Sequence, residues 1–92
     1  MFVAIAIHHV TPGHSEEMLA FMHRVIETTD GSPGLIDFKA CREVSRGVLA
    51  GYSRWESQAH FEAALPAIMS LGPQREPEWT DRPDKVIMLE VP

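Results

Sequence analysis

From Phe2 to Ile7 the chain carries no polar side chain, so a strand there is apolar on both of its faces. Side chains alternate across a strand, which puts Val3, Ile5 and Ile7 on one side and Phe2, Ala4 and Ala6 on the other. Residues 48–55 behave similarly, with Leu49, Gly51, Ser53 and Trp55 opposite Val48, Ala50 and Tyr52. Residues 85–91 set Val86 and Met88 against Ile87, Leu89 and Val91. A sheet built from such strands needs cover on two sides.

The rest of the chain supplies cover for one. Residues 2–10 end at the turn cluster Thr11-Pro12-Gly13. Ser15 reads as the N-cap of a helix reaching about Thr29, with Glu16 and Glu17 in the first turn, where the helix dipole favours negative charge. Met18, Leu19, Met22, Val25 and Ile26 recur along it at helical spacing, and Asp30-Gly31-Ser32-Pro33-Gly34 stops it. Residues 35–44 form a second strand, Ser45-Arg46-Gly47 a tight hairpin, and 48–55 a third strand. Ser57 caps a second helix with the stripe Phe61, Ala64, Leu65 and Ile68. Pro66 lies within it and is expected to kink or shorten it, and Gly72-Pro73 closes it. A polar, proline-dotted loop leads to the last strand, 85–91.

This order, βαββαβ over residues 1–92, is the ferredoxin-like split unit: an α+β fold with one four-stranded antiparallel sheet. Right-handed crossovers put both helices on one face of the sheet and leave the other bare. That bare face measures roughly 400 Å² from standard strand spacings. Apolar patches of such size usually mark an interface or a ligand site. Two copies pairing sheet to sheet would cover it and leave a cavity, either between the sheets or between helices and sheet of the homodimer.

Composition removes several function classes. With 92 residues the chain has one core and little room for a deep private pocket. Its net charge is −5 and no two Lys or Arg are adjacent, so it lacks the basic face that displaces counterions from nucleic acid, and an anionic membrane surface is equally disfavoured. The apolar N-terminal run is too short to span a membrane and has no basic leader. Cys41, the single cysteine, allows no intrachain disulfide and fits a reducing cytoplasm.

Read in order, the chain resembles the antibiotic biosynthesis monooxygenase family of the dimeric α/β-barrel superfamily. The residues that carry the likeness are Pro12-Gly13 after the first strand, Pro33-Gly34 before the second, and Trp55-Glu56-Ser57-Gln58-Ala59 with Phe61 after the third. The resemblance implies a ferredoxin-like homodimer and, among its members, cofactor-free oxygenases of aromatic polyketides, quinol oxygenases and haem-degrading enzymes. It implies that Trp55 matches a tryptophan lining the catalytic cavity. Haem-degrading members carry an asparagine where Ala6 stands here and a histidine ligand near Leu65. The cofactor-free oxygenases use an asparagine shortly before the tryptophan, and this chain contains none.

Each candidate side chain also has a structural reading. Trp55 is either a substrate wall or an interface aromatic. His8 shares the parity of Ala4 and Ala6 and is directed at the cavity, where a histidine could take a phenolic proton, or it is a hydrogen-bonded strand-end residue. His9 has the opposite parity, so the pair cannot hold one metal ion without a bulge, and no metal or other cofactor is expected. Tyr52 is assigned to the helix side. Arg42, Arg54 and Arg75 could stabilise a phenolate or simply face solvent. Trp79 sits in a polar loop and needs a docking place, over the cavity mouth or on a partner subunit. Asp37 and Lys39 guard an edge strand on the open side, and Cys41 is a small half-buried strand residue.

The expected function is a cofactor-free monooxygenase acting on a small aromatic or quinol-type molecule. His8 would serve as base, Trp55 as wall, and Trp79 or Arg75 as lid. The alternatives are a non-enzymatic dimer that binds a small apolar ligand, and a cofactor-free isomerase or lyase.

Overall fold

A computed structural model describes residues 1–44 and 47–92, so the hairpin tip expected at Ser45-Arg46 lies outside the described residues. The strands are β1 (Phe2–His9), β2 (Leu35–Arg42), β3 (Val48–Trp55) and β4 (Lys85–Glu90). The helices are α1 (Ser15–Thr29) and α2 (Gln58–Met69), and single 3₁₀ turns at Gly72–Gln74 and Pro77–Trp79 fill the loop before β4. The sheet order is β2-β3-β1-β4 and every neighbouring pair is antiparallel. This is the ferredoxin-like arrangement expected from the element order, with β2 and β4 as its edges.

Local chemistry accounts for most boundaries. Helix α1 starts one residue earlier than expected: Ser15 is its first residue, and His14, at the cap, makes no side-chain capping bond. Its buried face is Met18, Phe21, Met22, Val25 and Thr29. The Thr29 hydroxyl donates back to Val25 O at 3.0 Å and Ile26 O at 3.1 Å, which lets a polar residue be wholly buried in the last turn. Gly31 follows at φ 78° and turns the chain away. Ser57 caps α2 as expected, its hydroxyl accepting from His60 N at 3.3 Å. Pro66 removes one backbone bond, yet α2 runs on to Met69. Strand β2 ends at Arg42, two residues short of the expectation, and bulges between Leu35 and Asp37.

Both helices pack on the face carrying Phe2, Ala4, Leu49 and Trp55. One core cluster joins α1 to the sheet through Val10, Met18, Phe21, Met22, Val25 and Leu49. The other joins α2 to it through Phe2, Ala4, Trp55, Phe61 and Ala64. The register Ile5↔Tyr52 puts Tyr52 on the opposite, open face, which corrects its assignment to the helix side. Tyr52 shares that open face with Val3, Ile5 and Ile7, while Leu49, Gly51, Ser53 and Trp55 face the helices.

The open face is apolar at its centre, with Val3, Ile5, Ile7, Ala50, Ile87 and Leu89 alongside Tyr52. Charge is kept to its margin, where Asp37 meets Lys39 at 3.5 Å and Arg54 at 3.7 Å. Cys41, expected to be half-buried, is exposed on edge strand β2. Among the described residues no helix is long and apolar enough to cross a membrane.

Candidate functional site

The helix-facing side of the central sheet is built from small residues. Ala4 and Ala6 on β1, Gly51 and Ser53 on β3, and Ala40 on β2 leave a floor too low to meet two helices. The volume they do not fill is a cavity of about 460 Å³, inside the range of small-molecule sites. Phe21, Met22, Val25 and Ile26 of α1 form one wall, and Phe61, Leu65, Ile68 and Met69 of α2 the other. Val86 and Met88 of β4 complete it, and both are exposed, as is Met69. Its apolar mouth therefore lies between α2 and edge strand β4. This cavity sits between helices and sheet of a single chain; none of its walls is the open face, so the expectation of a cavity between two paired sheets is not what the chain itself forms.

Polar groups gather at one end, where β1 runs out and the loop from α2 returns. His8, Arg75 and Asp84 all line the cavity there. Arg75 grips Asp84 with two parallel bonds, Nη1 to Oδ2 at 2.6 Å and Nη2 to Oδ1 at 2.8 Å, and Nη2 also donates to Thr80 Oγ1 at 3.2 Å. This is the bidentate geometry that makes guanidinium–carboxylate pairs strong. His8 is buried, and its Nδ1 lies 3.0 Å from Asp84 Oδ1 without the alignment of a good hydrogen bond. Such contacts often straighten only when a ligand is bound.

Burial alone would push the Asp84 carboxyl upward, but its bonds to Arg75 and the nearness of His8 outweigh that and hold it well below the usual carboxylate range. Asp84 is therefore ionised, and in turn raises Arg75. An ionised carboxylate beside Nδ1 favours the tautomer with the proton on Nδ1, which leaves Nε2 as the basic nitrogen.

The other expected site residues fall elsewhere. Trp55 is wholly buried on the helix side, edge to face with Phe61 at 5.8 Å between ring centres, and is not at the cavity surface. It pairs with Phe2 at the start of β1, six residues from His8, or roughly 20 Å along the strand. Its indole Nε1 has no hydrogen-bond partner among the described residues. Trp79 docks within its own chain, edge to face with Phe21 at 6.5 Å, and its carbonyl accepts from Thr11 N at 2.9 Å. It braces α1 from outside the cavity. His60 lies against Gly34 and bonds Ser57, and His14 pairs with Glu17 at 3.2 Å. Arg54 belongs to the open face. No group of three or more His, Cys, Asp or Glu able to hold a metal gathers among the described residues.

Of the expected residues, His8 and Arg75 thus come together, and Trp55 and Trp79 do not join them. Asp84, the residue that connects the first two, was missed. Its only sequence signal was that Arg75 needed a carboxylate, and the loop holds several.

The sequence profile described as antibiotic biosynthesis monooxygenase matches residues 1–66, from β1 into α2. No curated protein matches the chain. Among solved structures, an antibiotic biosynthesis monooxygenase superposes with a TM-score of 0.81 at 16% identity, covering 99% of this chain and 98% of the other. Rv0793 from Mycobacterium tuberculosis superposes at 0.83 with 20% identity, over 98% and 93% of the two chains. The haem-degrader MhuD (Rv3592) from the same organism, solved with two haems in its active site, gives 0.79 at 23% identity, over 99% and 95%. At these identities the superpositions establish the fold. Together with a profile that accounts for three of the four strands and both helix starts, they carry one conclusion: the chain belongs to the antibiotic biosynthesis monooxygenase family.

Proposed function

We propose that this protein is a cofactor-independent oxygenase of a small phenolic or quinol-type aromatic, bound in the cavity between helices and sheet. The observation that carries the reading is a largely apolar, flat-floored cavity whose polar end sets one imidazole, His8, beside the Asp84 carboxylate. His8 Nε2 takes the phenolic proton, and Asp84 stabilises the imidazolium that forms. The electron-rich anion then reduces O₂ and bonds it at a ring carbon. That carbon becomes a carbonyl as the molecule loses two hydrogens, which leave with the second oxygen atom as water. The substrate supplies all four electrons, so no external reductant enters. The protein contributes position and electrostatics.

Haem chemistry, known for MhuD, fits these residues poorly. Leu65 and Ala6, which stand where the family's haem-degrading members carry their histidine and asparagine, do line the cavity, but both are apolar. Among the described residues the lone imidazole at the cavity surface is His8, on the sheet, already turned toward Asp84.

The protein is further read as a homodimer closed through its open face, since that apolar surface has no cover in the single chain. A second reading, a dimer that only binds a small apolar ligand, is favoured by the position of Trp55 away from the cavity. Oxygen uptake with a panel of naphthols, quinols and anthrones separates the two. The oxygenase reading expects turnover, with His8→Ala lowering kcat/KM by about 10²–10⁴-fold. An inert panel, with a fluorescent apolar probe still bound, would leave only the binding reading.

A further inference from the structure

The cavity holds one cation and one anion, and they are spent on each other. Arg75 and Asp84 are the only fully charged side chains on its walls among the described residues, joined by bonds of 2.6 and 2.8 Å. Both Asp84 oxygens are engaged, one of them also by His8. A compensated pair presents a dipole, whose attraction for a further charge falls off much faster than that of a free guanidinium. Apart from His8, the other walls among the described residues are apolar save for Ser53, whose hydroxyl is turned to Ala4 O at 3.4 Å. A carboxylate, sulfonate or phosphate drawn into this space would lose its water and gain no counter-charge. The net charge of −5 works in the same direction.

From this arrangement we infer that Asp84 sets the charge specificity of the cavity: by occupying Arg75 it reserves the site for uncharged aromatic ligands and excludes anionic ones. The inference rests on the cavity being the ligand site, but not on the ligand being oxidised there. A neutral phenol enters uncharged, and its negative charge appears only when its proton passes to His8, so the pair of charges forms inside the site.

Two probes with the same fused and pendant rings isolate the effect of charge: neutral N-phenyl-1-naphthylamine and anionic 1-anilinonaphthalene-8-sulfonate. Fluorescence titration of the intact protein should show the neutral probe binding at least about tenfold more tightly. Asp84→Asn removes the carboxylate but keeps its shape, freeing the guanidinium. It should tighten the sulfonate about tenfold or more while moving the neutral probe less than about threefold. Arg75→Gln should do the opposite, weakening the sulfonate further. Circular dichroism checks that each variant is folded, and the wild-type ratio needs no variant at all. Equal or tighter binding of the sulfonate by wild type, no gain in a folded Asp84→Asn protein, or no binding of either probe would each overturn the inference. Selective binding of the neutral probe beside an inert oxygen-uptake panel would instead sink the oxygenase reading and leave charge specificity standing.

Discussion

Asp84 is the side chain on which the polar end of the cavity turns, because it meets a cation on one side and an imidazole on the other. Its carboxyl is held below the usual carboxylate range, so its linkage to pH has a definite sign. The stability it contributes is fully present above about pH 4, where an unfolded aspartate is ionised, and is lost as pH falls toward the folded value. Thermal melts should therefore fall with acidification below about pH 4 more steeply in wild type than in Asp84→Asn. Equal slopes would show that Arg75 and His8 do not hold the carboxylate. Trp55 makes the opposite kind of prediction. It is a buried ring whose Nε1 has no partner among the described residues, so Trp55→Phe removes that donor along with some packing. Denaturant melts should place that variant within about 1.5 kcal/mol of wild type, against about 3–5 kcal/mol lost in Trp55→Ala. Neither change touches the cavity surface directly. At this scale the sequence exposed candidates but not their meetings: His8 and Arg75 could be singled out by type and parity, whereas their convergence on Asp84 depends on how the loop after α2 folds back.

Elements were far easier to foresee than contacts. Periodicity and turn chemistry placed all four strands and both helices, since Pro12-Gly13, Asp30-Gly31 and Ser57 punctuate the chain at the right points. What periodicity cannot say is which face of a doubly apolar strand the helices choose. Ala4, Ala6, Gly51 and Ser53 face α1 and α2, and their smallness makes the cavity, while Tyr52 goes to the open side. The junction between β2 and α2 is the tightest of these choices. Gly34 sits at φ 78°, its carbonyl accepts from Glu56 N at 2.8 Å, and the His60 ring occupies the space a Cβ would need. Gly34→Ala must strain both backbone and neighbour, and should cost about 1–3 kcal/mol in a denaturant melt. Gly13, also at positive φ but with open space around it, should lose less on the same change. If the two substitutions cost the same, His60 does not seat α2 on that turn.

At the scale of the whole molecule the two faces of the sheet differ in character. One carries small residues and a ligand-sized space; the other is apolar at its centre and charged at its margin, as a surface that meets its own copy would be. Sedimentation at micromolar concentration should therefore return a dimer, and Ile5→Lys, placing a charge at the centre of that face, should shift it to monomer without unfolding. A wild-type monomer would remove the pairing but leave the cavity, since every wall of the cavity comes from one chain. The proposed chemistry deprotonates an aromatic hydroxyl at the His8 end of this cavity. A crystal grown without oxygen and soaked with 1,4-naphthohydroquinone examines it most directly. The rings should lie on the Ala6–Gly51 floor with one hydroxyl within hydrogen-bond reach of His8 Nε2; an empty cavity, or a ligand seated with no hydroxyl near His8, would contradict that chemistry.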